Sequence, residues 1–247
     1  MAHDPAFWAL AVLAAVLTGM GKGGMPIVGM LGVPVLALSI PAVTAAGLLL
    51  PVFILSDMFG LYAYRHDFDR RNLVILVPAA VLGIAVGWAT ASLVEGRVVN
   101  GLVGAIGLAF ALTLLLRRGP QGPARPARIG PGLFWGAITG FTSFVSHAGA
   151  PPYQVYVLPQ RLEKMVYAGT TTILFAIVNV VKLVPYYALG QLSPANLKVA
   201  AVLCIPAALA VFAGLRLVRV IPEKLFFRLV TWALLLVSLK LLWDAFG

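Results

Sequence analysis

Apolar residues run along this chain in long blocks, and the polar positions fall between them. Six blocks are near twenty residues, the length that carries a helix across about 30 Å of hydrocarbon: Val43 to Tyr64, Leu73 to Leu93, Val98 to Leu116, Val166 to Leu189, Leu197 to Leu217 and Leu225 to Leu242. Two further apolar regions, Phe7 to Ile40 and Gly132 to Gln160, are interrupted near their middles by glycine and proline. The first break reads Gly19-Met20-Gly21-Lys22-Gly23-Gly24-Met25-Pro26, and the second runs from Thr139-Gly140 through His147-Ala148-Gly149-Ala150-Pro151-Pro152. The half-segments on either side, about 14 to 16 residues each, are short for a full crossing. The pattern predicts an all-α polytopic membrane protein.

The blocks come in the same order twice. Each half has one broken segment followed by three long ones, giving a first repeat over 1–116, a linker over 117–131 and a second repeat over 132–247. Short matches support the register: Thr18-Gly19 with Thr139-Gly140, Gly24-Met25-Pro26 with Gly149-Ala150-Pro151, Thr44 with Thr170, Tyr62 with Tyr186, and Leu93-Val94 with Leu217-Val218. Gly83 and Gly87, and Gly132, Gly136 and Gly140, recur at intervals of four. That spacing lets helices approach closely, within one chain or between copies in a homo-oligomer.

Composition agrees, with 61% of the 247 residues hydrophobic and 11% charged. The net charge of +10 would suggest nucleic acid in a soluble chain, but here it bears on orientation and no nucleic-acid partner is expected. A single crossing by each broken region would divide the basic residues outside the apolar blocks nine to seven. An even number of passes, as a helix pair or re-entrant hairpin, puts Arg65, Arg70, Arg71, Arg117, Arg118, Arg125, Arg128, Arg161, Lys164, Arg216, Arg219, Lys224 and Arg228 on one face, leaving Arg97, Lys198 and Lys240 on the other. Only the second split satisfies the positive-inside rule. Both termini are therefore expected outside, with the linker cytoplasmic and the repeats inverted. Inverted repeats with broken helices characterise many secondary transporters. The N-terminus has no Lys or Arg before Phe7 and so no basic signal-peptide region, and the chain is read as mature from Met1.

Candidate chemistry concentrates at the breaks. Gly21, Lys22, Gly23 and Gly24, followed by Pro26 at a helix start, are expected to form a cradle of backbone N–H groups and one ammonium for an anionic head group such as a sulfonate, sulfite or carboxylate. In the second break, Ser143, Ser146, His147 and Gly149 occupy the corresponding place. His147 suits proton coupling, or it is a neutral donor to a carbonyl; the hydroxyls can bond substrate or their own helix. Two charges lie inside long blocks, Asp57 and Lys182, and Asn179 shares a helical stripe with Lys182. With Thr170 and Thr171 they are expected to line a polar pathway or take part in coupling; the alternative is a structural pair or a lysine reaching for the interface. Nothing suggests an enzyme: His3, His66 and His147 lack metal-ligand spacing, no nucleophile-elbow or nucleotide fingerprint occurs, and the single cysteine, Cys204, makes no intramolecular disulfide. No cofactor or metal is expected.

The Gly149-Ala150-Pro151-Pro152 turn, the stretch Tyr167-Ala168-Gly169-Thr170-Thr171, the segment Tyr187-Ala188-Leu189-Gly190-Gln191-Leu192 and the doubled break resemble the TauE/SafE family of sulfite exporters, also called toluene sulfonate uptake permeases, over nearly the whole chain. The family break has the form Gly-x-Gly-Gly-Gly; Gly21-Lys22-Gly23-Gly24 keeps part of it and Ser146-His147-Ala148-Gly149 departs further. The resemblance implies transport of sulfite, organosulfonates or related sulfur anions across the plasma (inner) membrane, coupled to an ion such as the proton. The anion would bind between the breaks and cross by alternating access. A passive anion or solute channel is the competing reading, and a noncatalytic subunit of a larger complex is a third.

Overall fold

The computed structural model describes residues 4–91, 93, 95–116 and 123–246, and every regular element among them is helical. His3, Val94, Arg117 and Arg118, which entered the reading above, lie outside the described residues. The helices are α1 (Pro5–Lys22), α2 (Pro26–Met30), α3 (Gly32–Leu36), α4 (Ala42–Ala63), α5 (Arg70–Ala89), α6 (Gly96–Leu116), α7 (Ile129–Ser146), α8 (Ala150–Val157), α9 (Lys164–Ala188), α10 (Pro194–Val220) and α11 (Glu223–Phe246), with one 3₁₀ turn at Leu158–Gln160. The six long blocks become α4, α5, α6, α9, α10 and α11, with ends within about four residues of those expected.

Among the described residues seven helices are long and apolar enough to cross a membrane, and the seventh is α1. The sequence reading stopped this segment short because it took Gly19 as the break. The helix instead continues through Gly19 and Gly21 to Lys22. Those glycines are where other backbone comes close: a Cβ at Gly19 would strike the Ala207 carbonyl, and one at Gly21 would strike Gly29. Asp4, Asp69 and Ser193 cap α1, α5 and α10 by accepting from Ala6 N, Asn72 N and Asn196 N at 2.9, 2.7 and 3.2 Å. Interior prolines sit in α4, α5, α9 and α10, at Pro51, Pro78, Pro185 and Pro206, the first and second long helices of each half. Such prolines are tolerated in membrane helices, where neighbours satisfy the freed carbonyls.

Two compact units form, and neither is one half of the chain: the first comprises residues to Phe68 together with Ala168–Ile221, the second Asp69–Tyr167 together with Pro222–Gly247. In the first unit α1 packs on α10, Gly19 meeting Ala207 and Gly23 meeting Val211 and Gly214. Contacts rise together along both helices, so the pair is parallel. In the second unit α7 packs on α5, with Gly132 at Ile75, Gly136 at Ala79 and Gly83 at Ala137. That pair is parallel as well. Each half thus sends its broken segment against the second long helix of the other half.

Both broken segments turn back on themselves. Thr18 and Leu49 both lie against Gly32, while Lys22 lies farther along beside Asp57 and Gly60. Helices α1 and α4 therefore run in the same direction, and α2 and α3 return the chain between them. In the second unit Tyr156 Oη donates to Arg128 O at 3.1 Å and Arg125 N donates to Pro159 O at 3.0 Å. The end of α8 and the 3₁₀ turn accordingly come back beside the start of α7.

Candidate functional site

The first break is a helix C-terminus with a defined cap. Gly24 N donates to Gly21 O at 3.2 Å and Met25 N donates to Met20 O at 3.4 Å. This pair of bonds is the Schellman motif, which requires a left-handed residue after the cap. Gly24 supplies it with φ of +107°. Gly23 N is also engaged, with Gly19 O at 2.9 Å. The N–H groups of Gly23, Gly24 and Met25 are thus spent on helix carbonyls, where the sequence had suggested a backbone cradle, and α2 beyond them is a single short turn. Tyr64, at the end of α4, seals the turn by donating its hydroxyl to Gly23 O at 2.8 Å. Sequence reasoning did not single out Tyr64, which it placed only as the last residue of an apolar block. The available signal was an aromatic residue with a polar tip at the end of an apolar block.

The capped turn leaves Lys22 as the last residue of α1 with its side chain buried. Its Nζ lies 2.7 Å from Asp57 Oδ1 and 5.4 Å from the centre of the Phe53 ring. Asn179 Nδ2 donates to the other carboxylate oxygen, Asp57 Oδ2, at 2.8 Å. Lys182, one turn along α9 from Asn179, is fully buried and close enough to act electrostatically on both Lys22 and Asp57. Four residues from three separate segments therefore lie close together in the first unit: Lys22 from α1, Asp57 from α4, and Asn179 and Lys182 from α9. Thr170 and Thr171, earlier on α9, are buried in the same unit. Thr18 and Ser56, neighbours along α1 and α4 of the two charged residues, are also fully buried, and their hydroxyls have no hydrogen-bond partner among the described residues.

Burying charge in an apolar span is costly unless it is compensated. Lys22 and Asp57 compensate one another, and Asn179 occupies the second carboxylate oxygen. In their ordinary ionised forms the four side chains carry two positive charges against one negative. Both oxygens of the single carboxylate are already engaged, by Lys22 and by Asn179.

The second break, in the second unit, is built around His147 and Thr142. His147 ends α7 in the left-handed region, at φ of +54°, which costs a non-glycine residue about 1–2 kcal/mol. Thr142 holds the turn: its carbonyl accepts from Ala148 N at 3.2 Å, while its hydroxyl bridges Ile138 O at 2.8 Å and Ala148 O at 3.1 Å. Ser146 Oγ donates to Thr142 O at 3.2 Å, and Thr139 Oγ1 donates to Trp135 O at 2.7 Å. These hydroxyl protons stay within their own helix. Ser143 and Gly149 are buried and His147 is half-buried. Sequence reasoning also passed over Gln154, on α8: it is 1% exposed and neither atom of its amide has a hydrogen-bond partner among the described residues.

A family model described as Sulfite exporter TauE/SafE matches residues 6–241. No curated protein and no solved structure matches the chain.

Proposed function

The chain belongs to the TauE/SafE family of sulfite exporters, and from that premise we propose that it moves sulfite or a related small sulfur oxyanion through the buried centre formed by Lys22, Asp57, Asn179 and Lys182. Membership makes it a membrane transporter of anions, and the seven apolar helices among the described residues support an integral membrane protein. The observation that carries the proposal is the charge count of this centre: two lysines against one carboxylate whose oxygens already face Lys22 and Asn179. A tetrahedral or pyramidal oxyanion supplies the missing negative charge and accepts from the ammonium of Lys182. Asp57 is the resident counter-ion that keeps Lys22 charged and positioned when no anion is bound. Gly21, Gly23 and Gly24 act by fixing the turn that presents Lys22, and Thr170 and Thr171 line the route along α9.

Transport proceeds by alternating access of two inverted repeats in the plasma (inner) membrane, with both termini outside. The exchange of broken segments between the two halves supports this, as does the return of each broken segment to its starting side. His147, at the second break with Ser143, Ser146 and Gly149, is assigned to proton coupling.

Sulfite flux into liposomes containing the purified chain tests the reading. Saturable flux that runs uphill when a pH gradient is imposed is expected, whereas linear, purely dissipative flux would make the protein a channel. Lys182→Gln removes one charge-assisted hydrogen bond and should raise the half-saturating sulfite concentration about tenfold or more. An unchanged value would remove the cluster from the pathway. His147→Gln should keep sulfite flux and lose its response to the pH gradient, and full retention of that response would reassign His147 to the turn alone.

A further inference from the structure

Away from the buried centre, the second unit carries a groove of about 460 Å³ lined by Arg70, Arg71, Val74, Ile75 and Ile129. Its composition is divided. Two arginines contribute to its lining, and the other lining residues are branched apolar side chains. The parallel packing of α5 and α7 produces this arrangement, because it brings the first turns of both helices to the same end. Arg128, the residue before α7, is exposed at that end too. Asp69, the nearest carboxylate in sequence, is committed to the helix start, where Oδ1 accepts from Asn72 N at 2.7 Å and Asn72 Nδ2 at 3.0 Å. Among the described residues neither Arg70 nor Arg71 is in an ion pair.

The surface leading from the arginines is apolar along a full helix face. Arg70, Val74, Pro78, Leu82 and Val86 follow one another at intervals of four on α5, and all are exposed. On α7, Ile129, Leu133 and Phe134 are exposed as well. Arginine is suited to the head of such a strip because its planar fork matches phosphate oxygens and is weakly hydrated. Basic pockets between membrane helices at the cytoplasmic side are suited to anionic lipid headgroups, each basic residue adding to the attraction.

We propose that this groove is a binding site for an anionic phospholipid, the phosphate held by Arg70 and Arg71 and an acyl chain laid along Val74, Ile75 and Ile129. A soluble phosphate would use the arginines and leave the apolar wall unused. The lipid uses both. The site stands independently of the substrate and of the transport cycle.

The test is retention of lipid by the purified full chain in detergent, read from lipid adducts in native mass spectra and from the thermal midpoint. Phosphatidylglycerol, phosphatidylcholine and inorganic phosphate are compared. Phosphatidylglycerol alone is expected to remain bound and to raise the midpoint. The double variant Arg70→Gln/Arg71→Gln should weaken its retention about tenfold or more without moving the lipid-free midpoint, since both side chains are exposed. The charge-matched control Lys224→Gln/Arg228→Gln, altered at exposed positions on α11, should retain phosphatidylglycerol as the parent does. Equal loss in the control would replace the site by a diffuse charge effect. Stabilisation by phosphate matching that by the lipid would reduce it to an anion site, and undiminished retention in the arginine variant would overturn it. Should the arginine variant fold poorly, Arg70→Lys/Arg71→Lys keeps the charge; it supports the site if retention lies between parent and control-subtracted background, and refutes it if retention equals that background.

Discussion

Asp57 is the residue on which the buried centre turns. It sits between Lys22 at 2.7 Å and Asn179 at 2.8 Å, with Lys182 nearby. Replacing one member of a buried pair leaves the other charge uncompensated, at about 3–5 kcal/mol. Asp57→Asn keeps the size and the contact to Asn179 while leaving two ammonium groups with no carboxylate. The variant is expected to lose about 6–20 °C of thermal midpoint in detergent. Added sulfite should then restore more of that loss than it adds to the parent protein, because the ligand replaces the missing negative charge. A midpoint insensitive to sulfite in Asp57→Asn would show that the anion does not enter this centre. The four residues were individually legible as polar positions inside apolar blocks. Their meeting was not, since Lys22 and Lys182 lie 160 positions apart and no local pattern couples them.

At the scale of the element, the informative feature is how each broken segment is broken. The glycines of the first break marked a discontinuity in the sequence, and only the hydrogen bonds distinguish an open cradle from a capped helix end. Gly24 is the position where the distinction can be tested. Its φ is +107° and a Cβ there would fall on the Tyr64 hydroxyl. Gly24→Ala therefore incurs backbone strain and displaces the Tyr64 to Gly23 hydrogen bond, about 2 kcal/mol or more together. Unfolding of the parent and variant in detergent measures it. Combining the change with Tyr64→Phe should cost less than the two single changes added, because the clash partner has gone. Strict additivity would mean that Tyr64 does not seal the turn. The second break reaches a similar outcome by other means, with His147 left-handed and Thr142 as the tie. A sequence comparison of the two breaks sees a departure from the glycine pattern. The hydrogen bonds show that a threonine hydroxyl now helps hold the turn.

For the whole molecule, orientation is the property most open to direct measurement. On the orientation proposed above, the thirteen-to-three division of basic residues predicts both termini on one side of the membrane and residues 123–128 on the other. With Cys204 replaced by alanine, single cysteines at Ala6→Cys, Arg125→Cys and Phe246→Cys report the sides; all three native positions are exposed. A membrane-impermeant maleimide applied to intact cells should label the terminal positions and spare residue 125 until the membrane is opened. Labelling of residue 125 alone would invert the assignment, and labelling of one terminus alone would restore a single crossing by one broken segment.

The sequence by itself determined that the protein is an all-helical membrane chain and set the order of its six long apolar segments. Each of these is written in residues adjacent along the chain: hydropathy sums over about twenty neighbours, and a helix needs only its own backbone to satisfy its polar groups in lipid. It also marked Lys22, Asp57, Asn179 and Lys182, because a polar group in an apolar block stands out wherever it is finally placed. Tertiary structure decided that α1 runs on through Gly19 to Lys22, that the two compact units interleave the halves, and that Asp57 faces Lys22 and Asn179. These depend on which helices approach one another. That choice is made by close contacts such as Gly19 on Ala207 and Gly140 on Ala80, between residues far apart in the chain, and it leaves no local trace in the order of the amino acids.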